Sequence, residues 1–195
     1  MDESLNSGIV TADGICDGWL RSARRVESPN YNNRPAWAEI DLLVIHSISL
    51  PPGEFGGDQI DRFFQNCLDQ SEHPYFSHIA DLKVSAHLLI DRRGLITQYV
   101  NFNQRAWHAG VSSFCGREQC NDYSIGIELE GDDDTPYTER QYRALILTTR
   151  QLRKEWPGIT PGRMVGHCDI APGRKTDPGR CFDWRHYRGA LGPSI

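Results

Sequence analysis

Five short segments have the apolar pattern and the flanking residues of β-strands. Residues 42–45 form a continuous apolar run that ends at a histidine, which is typical of a strand covered on both faces. Residues 124–130 alternate apolar and polar side chains, so their two faces differ. Residues 85–90 and 95–100 flank the turn sequence Asp-Arg-Arg-Gly and predict a β-hairpin. A last short strand is expected over 164–167.

Apolar residues spaced by three and four positions predict two helices. The first lies near 57–68, and the second covers about 138–155 and ends before a Pro-Gly pair. The aromatic tail around Trp184 predicts a short closing helix. Residues 1–40 are rich in turn-forming residues and are expected to be irregular. Together these elements predict an α/β (α+β) protein, a single domain with a central mixed β-sheet flanked by helices.

The chain length of 195 residues suits one domain. We expect an irregular N-terminal arm over 1–16, the folded domain over 17–190, a C-terminal tail over 191–195, and a monomer. The formal net charge of -5 disfavours non-specific nucleic-acid binding. No apolar run reaches the roughly 20 residues that a membrane span needs. Asp2 and Glu3 occupy positions where a secretory signal carries positive charge, so a cytoplasmic location with reduced cysteines is expected.

Two histidines close predicted strands. His46 follows the run 42–45, and His167 follows 164–166. A lone histidine in such a place is more often a hydrogen-bonded core residue, but two histidines and a carboxylate also form a catalytic zinc set with a fourth position for water or substrate. The loop after His167 is rich in Pro, Gly and ionisable residues, as binding loops often are. Asp169 and Asp177 both fit the third position, and their spacing does not choose between them.

Glu128 and Lys175 are candidates for the chemistry around such a metal. Glu128 shares a strand face with Gly126 and Glu130, and a solvated face explains the two glutamates equally well. Beside a metal, Glu128 would take a proton from water and deliver it to a leaving amine. Lys175 would stabilise an oxyanion, although an exposed loop lysine is the ordinary interpretation.

For other residues near these positions the sequence gives weaker evidence of a functional role. Trp107 and His108 would form the wall of a ligand pocket, with core packing an equal alternative for the tryptophan. His87 lies within a predicted strand and is interpreted as structural. Cys168 is the alternative to a metal mechanism, because a thiol nucleophile with a partnering base also cleaves amides.

Four separated stretches occur in the order found in one enzyme family. They are VIHSISLPPGEFGG (44–57), VSAHLLIDRRG (84–94), RAWHAGVSSFCGREQCNDYSIGIELEG (105–131) and GHCDIAPGRKTDPG (166–179). With the segments between them, the chain resembles the zinc N-acetylmuramyl-L-alanine amidases of the AmpD type over roughly residues 17–190. These enzymes are related to phage amidases and to peptidoglycan recognition proteins.

The resemblance implies a fold, an activity and a set of functional residues. The fold is that of peptidoglycan recognition proteins, and the reaction is hydrolysis of the amide between the muramyl lactyl group and L-alanine. The implied substrate is a 1,6-anhydro-muropeptide from cell-wall recycling, and its removal limits β-lactamase induction. The implied roles are Zn²⁺ ligation by His46, His167 and Asp177, general acid/base catalysis by Glu128, transition-state stabilisation by Lys175, and substrate contact by Trp107, Arg174 and Lys83.

One position departs from the family pattern, and two alternative functions compete with the cytoplasmic amidase. Ser47 follows the first ligand where many members have Asn, which leaves open any contact made from that position.

A peptidoglycan-binding module without catalysis would resemble the family, but this chain has the family's residue at all five metal and catalytic positions. An exported amidase acting on intact peptidoglycan would use the same chemistry.

Overall fold

The computed structural model describes residues 14–192 and contains twelve strands and five helices in that part of the chain. The strands are β1 (Ile15–Cys16), β2 (Trp19–Leu20), β3 (Arg24–Arg25), β4 (Tyr31–Asn33), β5 (Leu42–Ile48), β6 (Leu88–Ile90), β7 (Ile96–Gln98), β8 (Gln104–Ala106), β9 (Ser113–Phe114), β10 (Arg117–Glu118), β11 (Ser124–Glu130) and β12 (Met164–Gly166). The helices are α1 (Gln59–Phe64), α2 (Phe76–Ile79), α3 (Glu139–Glu155), α4 (His167–Ile170) and α5 (Trp184–Leu191). Two 3₁₀ turns cover Cys120–Asp122 and Pro161–Arg163.

A six-stranded mixed sheet forms the centre, in the order β12-β5-β11-β6-β7-β3. The hairpin β6–β7 is antiparallel and the other neighbours run parallel. The predicted mixed sheet with flanking helices is therefore confirmed. In parallel strands the carboxyl ends meet at one edge, which is where sites form in such sheets. His46 pairs with Glu128, and Gly166 pairs with Ile45, so the register brings both predicted histidines and the glutamate to that edge.

The two faces of the central strands have different coverings. Helices α3 and α5 pack on the face that carries Leu43 and Ile45 of β5 and the three apolar residues Ile125, Ile127 and Leu129 of β11. Because side chains alternate along a strand, His46 and Glu128 lie on the opposite face. That face is covered partly by α1, α2 and α4, and the uncovered part becomes the functional cavity.

Helix α3 begins where its sequence favours a start. The Thr138 hydroxyl accepts a hydrogen bond from the Gln141 N–H at 3.1 Å, and the Gln141 side chain accepts from the Thr138 N–H at 3.1 Å. This reciprocal capping satisfies two N–H groups that have no partner within the helix. The helix ends at Glu155, ahead of Pro157, and the predicted helix over about 138–155 is confirmed.

Several expectations need correction. Residues 1–40 are not irregular throughout, because strands β1 to β4 lie there, while residues 1–13 and 193–195 of the predicted arm and tail fall outside the described part. The first helix is shorter than 57–68, since the chain turns at Asn66 with a positive φ of 61°. The solvated-face interpretation of β11 is wrong, because all seven of its residues are buried. Helices α2 and α4 were not anticipated from the sequence.

No helix between residues 14 and 192 has both the length and the apolar character of a membrane span.

Candidate metal and active site

His46, His167 and Asp177 direct one ligand atom each to a common point at the edge of the sheet. His46 Nδ1 lies 3.0 Å from His167 Nδ1 and 3.1 Å from Asp177 Oδ2, and His167 Nδ1 lies 3.0 Å from Asp177 Oδ2. Ligands bound at 2.0–2.1 Å to a tetrahedral zinc ion are about 3.3 Å apart. The three atoms are thus within a few tenths of an ångström of a zinc-binding arrangement, and this group is one that could hold a metal ion.

The hydrogen bonds around His167 also fit a cation. His167 Nε2 lies 3.1 Å from the carbonyl oxygen of Ala109, which can only accept a hydrogen bond. A neutral His167 therefore donates from Nε2 and turns the Nδ1 lone pair toward the Asp177 carboxylate. Two acceptor atoms 3.0 Å apart repel each other unless a cation lies between them. Burial also lowers the pKa of His46 to about 4, which keeps it in the neutral form that binds metals.

The two aspartates of the loop have separate positions. Asp177 lies with the histidines, whereas Asp169 Oδ2 accepts a 2.8 Å hydrogen bond from the Gly166 N–H at the start of α4. Burial alone would raise the pKa of Asp177, but the adjoining His167 and His46 rings hold that pKa well below its usual range. Asp177 is therefore ionised, and it would supply the negative charge that a bound divalent ion needs.

Glu128 is buried beside this group, and its Oε2 has no hydrogen-bond partner within residues 14–192. Burial raises the pKa of Glu128 well above its ordinary value, the Asp177 carboxylate raises it further, and the Lys175 charge lowers it. A cation held by the ligands would lower it as well. An unpartnered buried carboxyl is costly for folding, and such groups are characteristic of functional sites.

Lys175 and Arg174 lie on the loop that leads to Asp177, and both side chains are exposed. Lys175 lines the cavity, near enough for its charge to act on Glu128. Arg174 also lines the cavity, but its Nη2 donates to the carbonyl oxygens of Ala109 and Val111 at 2.7 Å. Arg174 therefore links the loop that leads to Asp177 with the segment that contacts His167.

A cavity of about 690 Å³ opens above these groups. Its lining includes six of the eight predicted site residues, namely His46, Glu128, His167, Arg174, Lys175 and Asp177. Apolar side chains from α1, α2 and the segment before β6 form another part of the lining, and the acidic run Asp132–Asp134 forms a third. The cavity thus combines a metal-type site with an apolar wall and with charges of both signs.

Trp107 and Lys83 are not among the residues that line this cavity. The Trp107 indole donates a 2.7 Å hydrogen bond to Asn32 Oδ1. Lys83 is exposed, while its neighbours Leu82 and Val84 line the cavity. Their predicted substrate contacts therefore require a ligand that extends beyond the cavity.

The sequence did not reveal the position of His108, which is buried directly behind His46. Its Nδ1 lies 2.9 Å from His46 Nε2, and burial holds the pKa of His108 well below its ordinary value. The sequence feature that indicates this packing is the glycine at position 126 within β11. A Cβ at that position would lie only 2.5 Å from the His108 ring. His87 lies further inside, where its Nδ1 accepts from the Gly126 N–H at 3.0 Å, in keeping with a structural role.

Cys168 is poorly suited to act as a nucleophile. Its side chain is half-buried, and burial, followed by the Asp169 and Asp177 carboxylates, raises the pKa of the thiol. Reactive cysteines have a lowered pKa, because the thiolate is the attacking species. The environment of Cys168 therefore disfavours the thiol mechanism.

Comparison with known proteins gives consistent matches. The family model described as N-acetylmuramoyl-L-alanine amidase matches residues 36–180. The 1,6-anhydro-N-acetylmuramyl-L-alanine amidase AmpD of Haemophilus influenzae is 57% identical over 174 residues, which cover 89% of this chain and 95% of that protein. AmpD of Escherichia coli K12 is 58% identical over 171 residues, with 88% and 93% covered.

Solved structures agree with these matches. A crystal structure of a selenomethionine derivative of AmpD superposes with a TM-score of 0.89 at 56% identity, covering 91% of this chain and 99% of that one. The amidase AmiD of E. coli, solved in complex with the substrate anhydro-N-acetylmuramic acid-L-Ala-D-gamma-Glu-L-Lys, gives a TM-score of 0.59 at 28% identity, covering 83% and 62%.

Proposed function

Because the chain belongs to the N-acetylmuramoyl-L-alanine amidase family, we propose that it is a zinc enzyme acting on soluble 1,6-anhydro-muropeptides. The bond cleaved is the amide between the muramyl lactyl group and L-alanine. His46, His167 and Asp177 hold the zinc ion. The observation that carries this proposal is the buried Glu128 carboxyl, whose Oε2 has no hydrogen-bond partner within residues 14–192. Glu128 lies opposite His46 in the register of the neighbouring strands β11 and β5.

The mechanism assigns proton transfer to Glu128 and charge stabilisation to Lys175. Zinc, when bound, lowers the pKa of water toward ~7 and polarises the scissile carbonyl. Glu128 accepts the proton of the attacking water and then delivers it to the departing alanine nitrogen. A raised pKa suits this second step, because the group must hold a proton long enough to transfer it. The Lys175 ammonium group stabilises the oxyanion that forms at the carbonyl.

The cavity supports a peptide-bearing sugar as substrate. Its apolar wall provides a surface for the sugar ring, while Arg174 offers positive charge to the carboxylates of a stem peptide. Substrate contact by Trp107, Arg174 and Lys83, the cytoplasmic location and the effect on β-lactamase induction stay predictions, as do the metal ligands and the catalytic roles. The position of Ser47 in the cavity lining adds a further candidate for substrate contact.

The assay that tests the proposed substrate compares hydrolysis of soluble anhydro-muropeptide with hydrolysis of intact sacculi. We expect the zinc-loaded protein to release the stem peptide from soluble anhydro-muropeptide much faster than from intact sacculi, as measured by mass spectrometry of the products. Faster release from sacculi would indicate the exported type of amidase. Binding of the muropeptide without any release of peptide, in a protein shown to contain zinc, would identify a recognition module instead.

Lys175→Met is expected to lower kcat by about 10²–10³-fold, the usual effect of losing one oxyanion-stabilising group. The methionine side chain has a similar length but cannot stabilise negative charge. KM for the anhydro-muropeptide should change little, because the interaction develops mainly in the transition state. Steady-state kinetics with Lys154→Met as the control test this, since Lys154 is exposed on α3 and does not line the cavity. An increase in KM at unchanged kcat would make Lys175 a substrate-binding residue only.

A further inference from the structure

A chain of three hydrogen bonds runs from His46 into the core behind the metal site. His46 Nε2 lies 2.9 Å from His108 Nδ1, and His108 Nε2 lies 3.1 Å from Ser124 Oγ. Ser124 Oγ lies 2.5 Å from the carbonyl oxygen of Cys120. All four residues are buried, so these bonds do not compete with bulk water.

The last partner in this chain sets the direction of every bond. The Cys120 carbonyl can only accept, so the Ser124 hydroxyl donates to it and is left to accept from His108 Nε2–H. With its one ring proton on Nε2, His108 has a lone pair on Nδ1 and accepts from His46 Nε2–H. His46 therefore presents the lone pair of Nδ1 to the point where the other two ligand atoms meet. These proton positions are assigned from the bonding partners.

We propose that His108, supported by Ser124, is a positioning residue that holds His46 in the tautomer whose Nδ1 binds the metal. The inference rests on the zinc site proposed above. Outer partners of metal-bound histidines generally fix the ring orientation and the tautomer, and their loss weakens metal affinity. Here the outer partner is a second histidine rather than the more usual carboxylate or backbone carbonyl.

The segment around His108 serves both metal-binding histidines. Asn121 Oδ1 accepts hydrogen bonds from the backbone N–H groups of His108 and Ala109, at 3.1 and 2.8 Å. The carbonyl of Ala109 accepts from His167 Nε2. Gly126 completes the arrangement, because any larger residue would meet the His108 ring. One short segment thus orients the rings of His46 and His167 together.

Replacing His108 tests the role of its Nδ1 acceptor. We expect His108→Leu, which removes the acceptor but keeps an apolar side chain of similar size, to weaken zinc binding by about 10–100-fold. His108→Asn retains an acceptor, Oδ1, near the position of Nδ1, and should bind zinc within a few fold of the wild type. Competition with a chromogenic zinc chelator measures these affinities without any substrate.

A second measurement reads the tautomer directly in the metal-free protein. We expect ¹⁵N chemical shifts of the His46 ring to report a proton on Nε2 in the wild type and a mixture of tautomers in His108→Leu. Ser124→Ala should shift the same equilibrium to a smaller extent, and it keeps the test available if His108→Leu does not fold.

Three results would overturn the inference: wild-type zinc affinity in His108→Leu, an equal loss in His108→Asn and His108→Leu, or a His46 proton on Nδ1 in the wild type. The second result would mean that His108 acts by packing alone. Failure of the wild-type protein to bind zinc would instead refute the proposed function, and the tautomer measurement distinguishes the two cases because it needs no metal.

Discussion

The Glu128→Gln enzyme should bind zinc as tightly as the wild type and lose about 10²–10⁴-fold in kcat, the range expected when a general acid/base is removed. Glutamine keeps the size and position of the side chain but can neither accept the water proton nor deliver it to the alanine nitrogen. Turnover of anhydro-muropeptide at saturating zinc, together with the zinc content of the purified protein, measures both parts of this prediction.

The same substitution should stabilise the metal-free protein at neutral pH. The pKa of Glu128 is higher in the folded state than in the unfolded state, so the protonated carboxyl favours the folded protein. This contribution to the free energy of unfolding is fully present below the unfolded-state pKa near 4.5, and it is lost as the pH rises through the folded-state pKa. Glutamine has no charge to bury, so metal-free Glu128→Gln should melt above the wild type at pH 7. A gain of about 1 kcal/mol corresponds to about 2–4 °C, and it should disappear near pH 4.

Glu130 provides a matched control on the same strand face. Its carboxylate accepts hydrogen bonds from the backbone N–H groups of Gly56 and Arg92. In Glu130→Gln the side-chain NH₂ group would face one of these backbone N–H groups, so two donors would meet without an acceptor. We expect this variant to melt at a lower temperature than the wild type, at a cost of about 1–3 kcal/mol in the free energy of unfolding, and to keep kcat within a few fold.

Two results would contradict the role assigned to Glu128. They are a melting temperature of metal-free Glu128→Gln below that of the wild type at pH 7, and unchanged turnover in Glu128→Gln.

The strands and the faces of the site could be predicted because alternation is a local property of the sequence. Residues 124–130 have one apolar face for the helices, which places Glu128 on the other face, and alternation along 42–46 puts His46 on the face opposite Leu43 and Ile45. That the two strands are neighbours, with these two residues in register, depends on the parallel pairing of β5 and β11. Such pairing joins distant segments, so no local pattern predicts it.

Other features escaped prediction because tertiary contacts create them. The two-residue strands near the N-terminus form only where a partner segment passes; β3, for example, pairs with β7 at Gln98. Glu130 appeared to face solvent because the backbone N–H groups that surround it come from other loops. The sequence indicates His108 only as part of a pocket wall, since its contact with His46 joins residues 62 positions apart.

The choice between Asp169 and Asp177 shows most clearly what geometry adds to spacing. Both aspartates follow His167 within ten residues, and both fit a two-histidine, one-carboxylate set. In the folded chain, Asp169 bends back to the start of α4 and accepts from Gly166. The loop then returns, and the Cys168 N–H donates to the Asp177 carbonyl at 3.0 Å, which brings the Asp177 carboxylate to the histidines.

Asp177→Asn is accordingly expected to reduce zinc affinity by more than the 10–100-fold that follows loss of an outer partner, and to abolish turnover at stoichiometric zinc. An amide is a weaker ligand and brings no charge to offset that of the ion. Asp169→Asn should keep zinc and activity, because the asparagine Oδ1 can still accept from Gly166 and asparagine is itself a good capping residue. Zinc titration of the two variants, side by side, separates the roles. Zinc loss in Asp169→Asn with retention in Asp177→Asn would transfer the ligand assignment to Asp169 and leave Asp177 as a partner of the histidines alone.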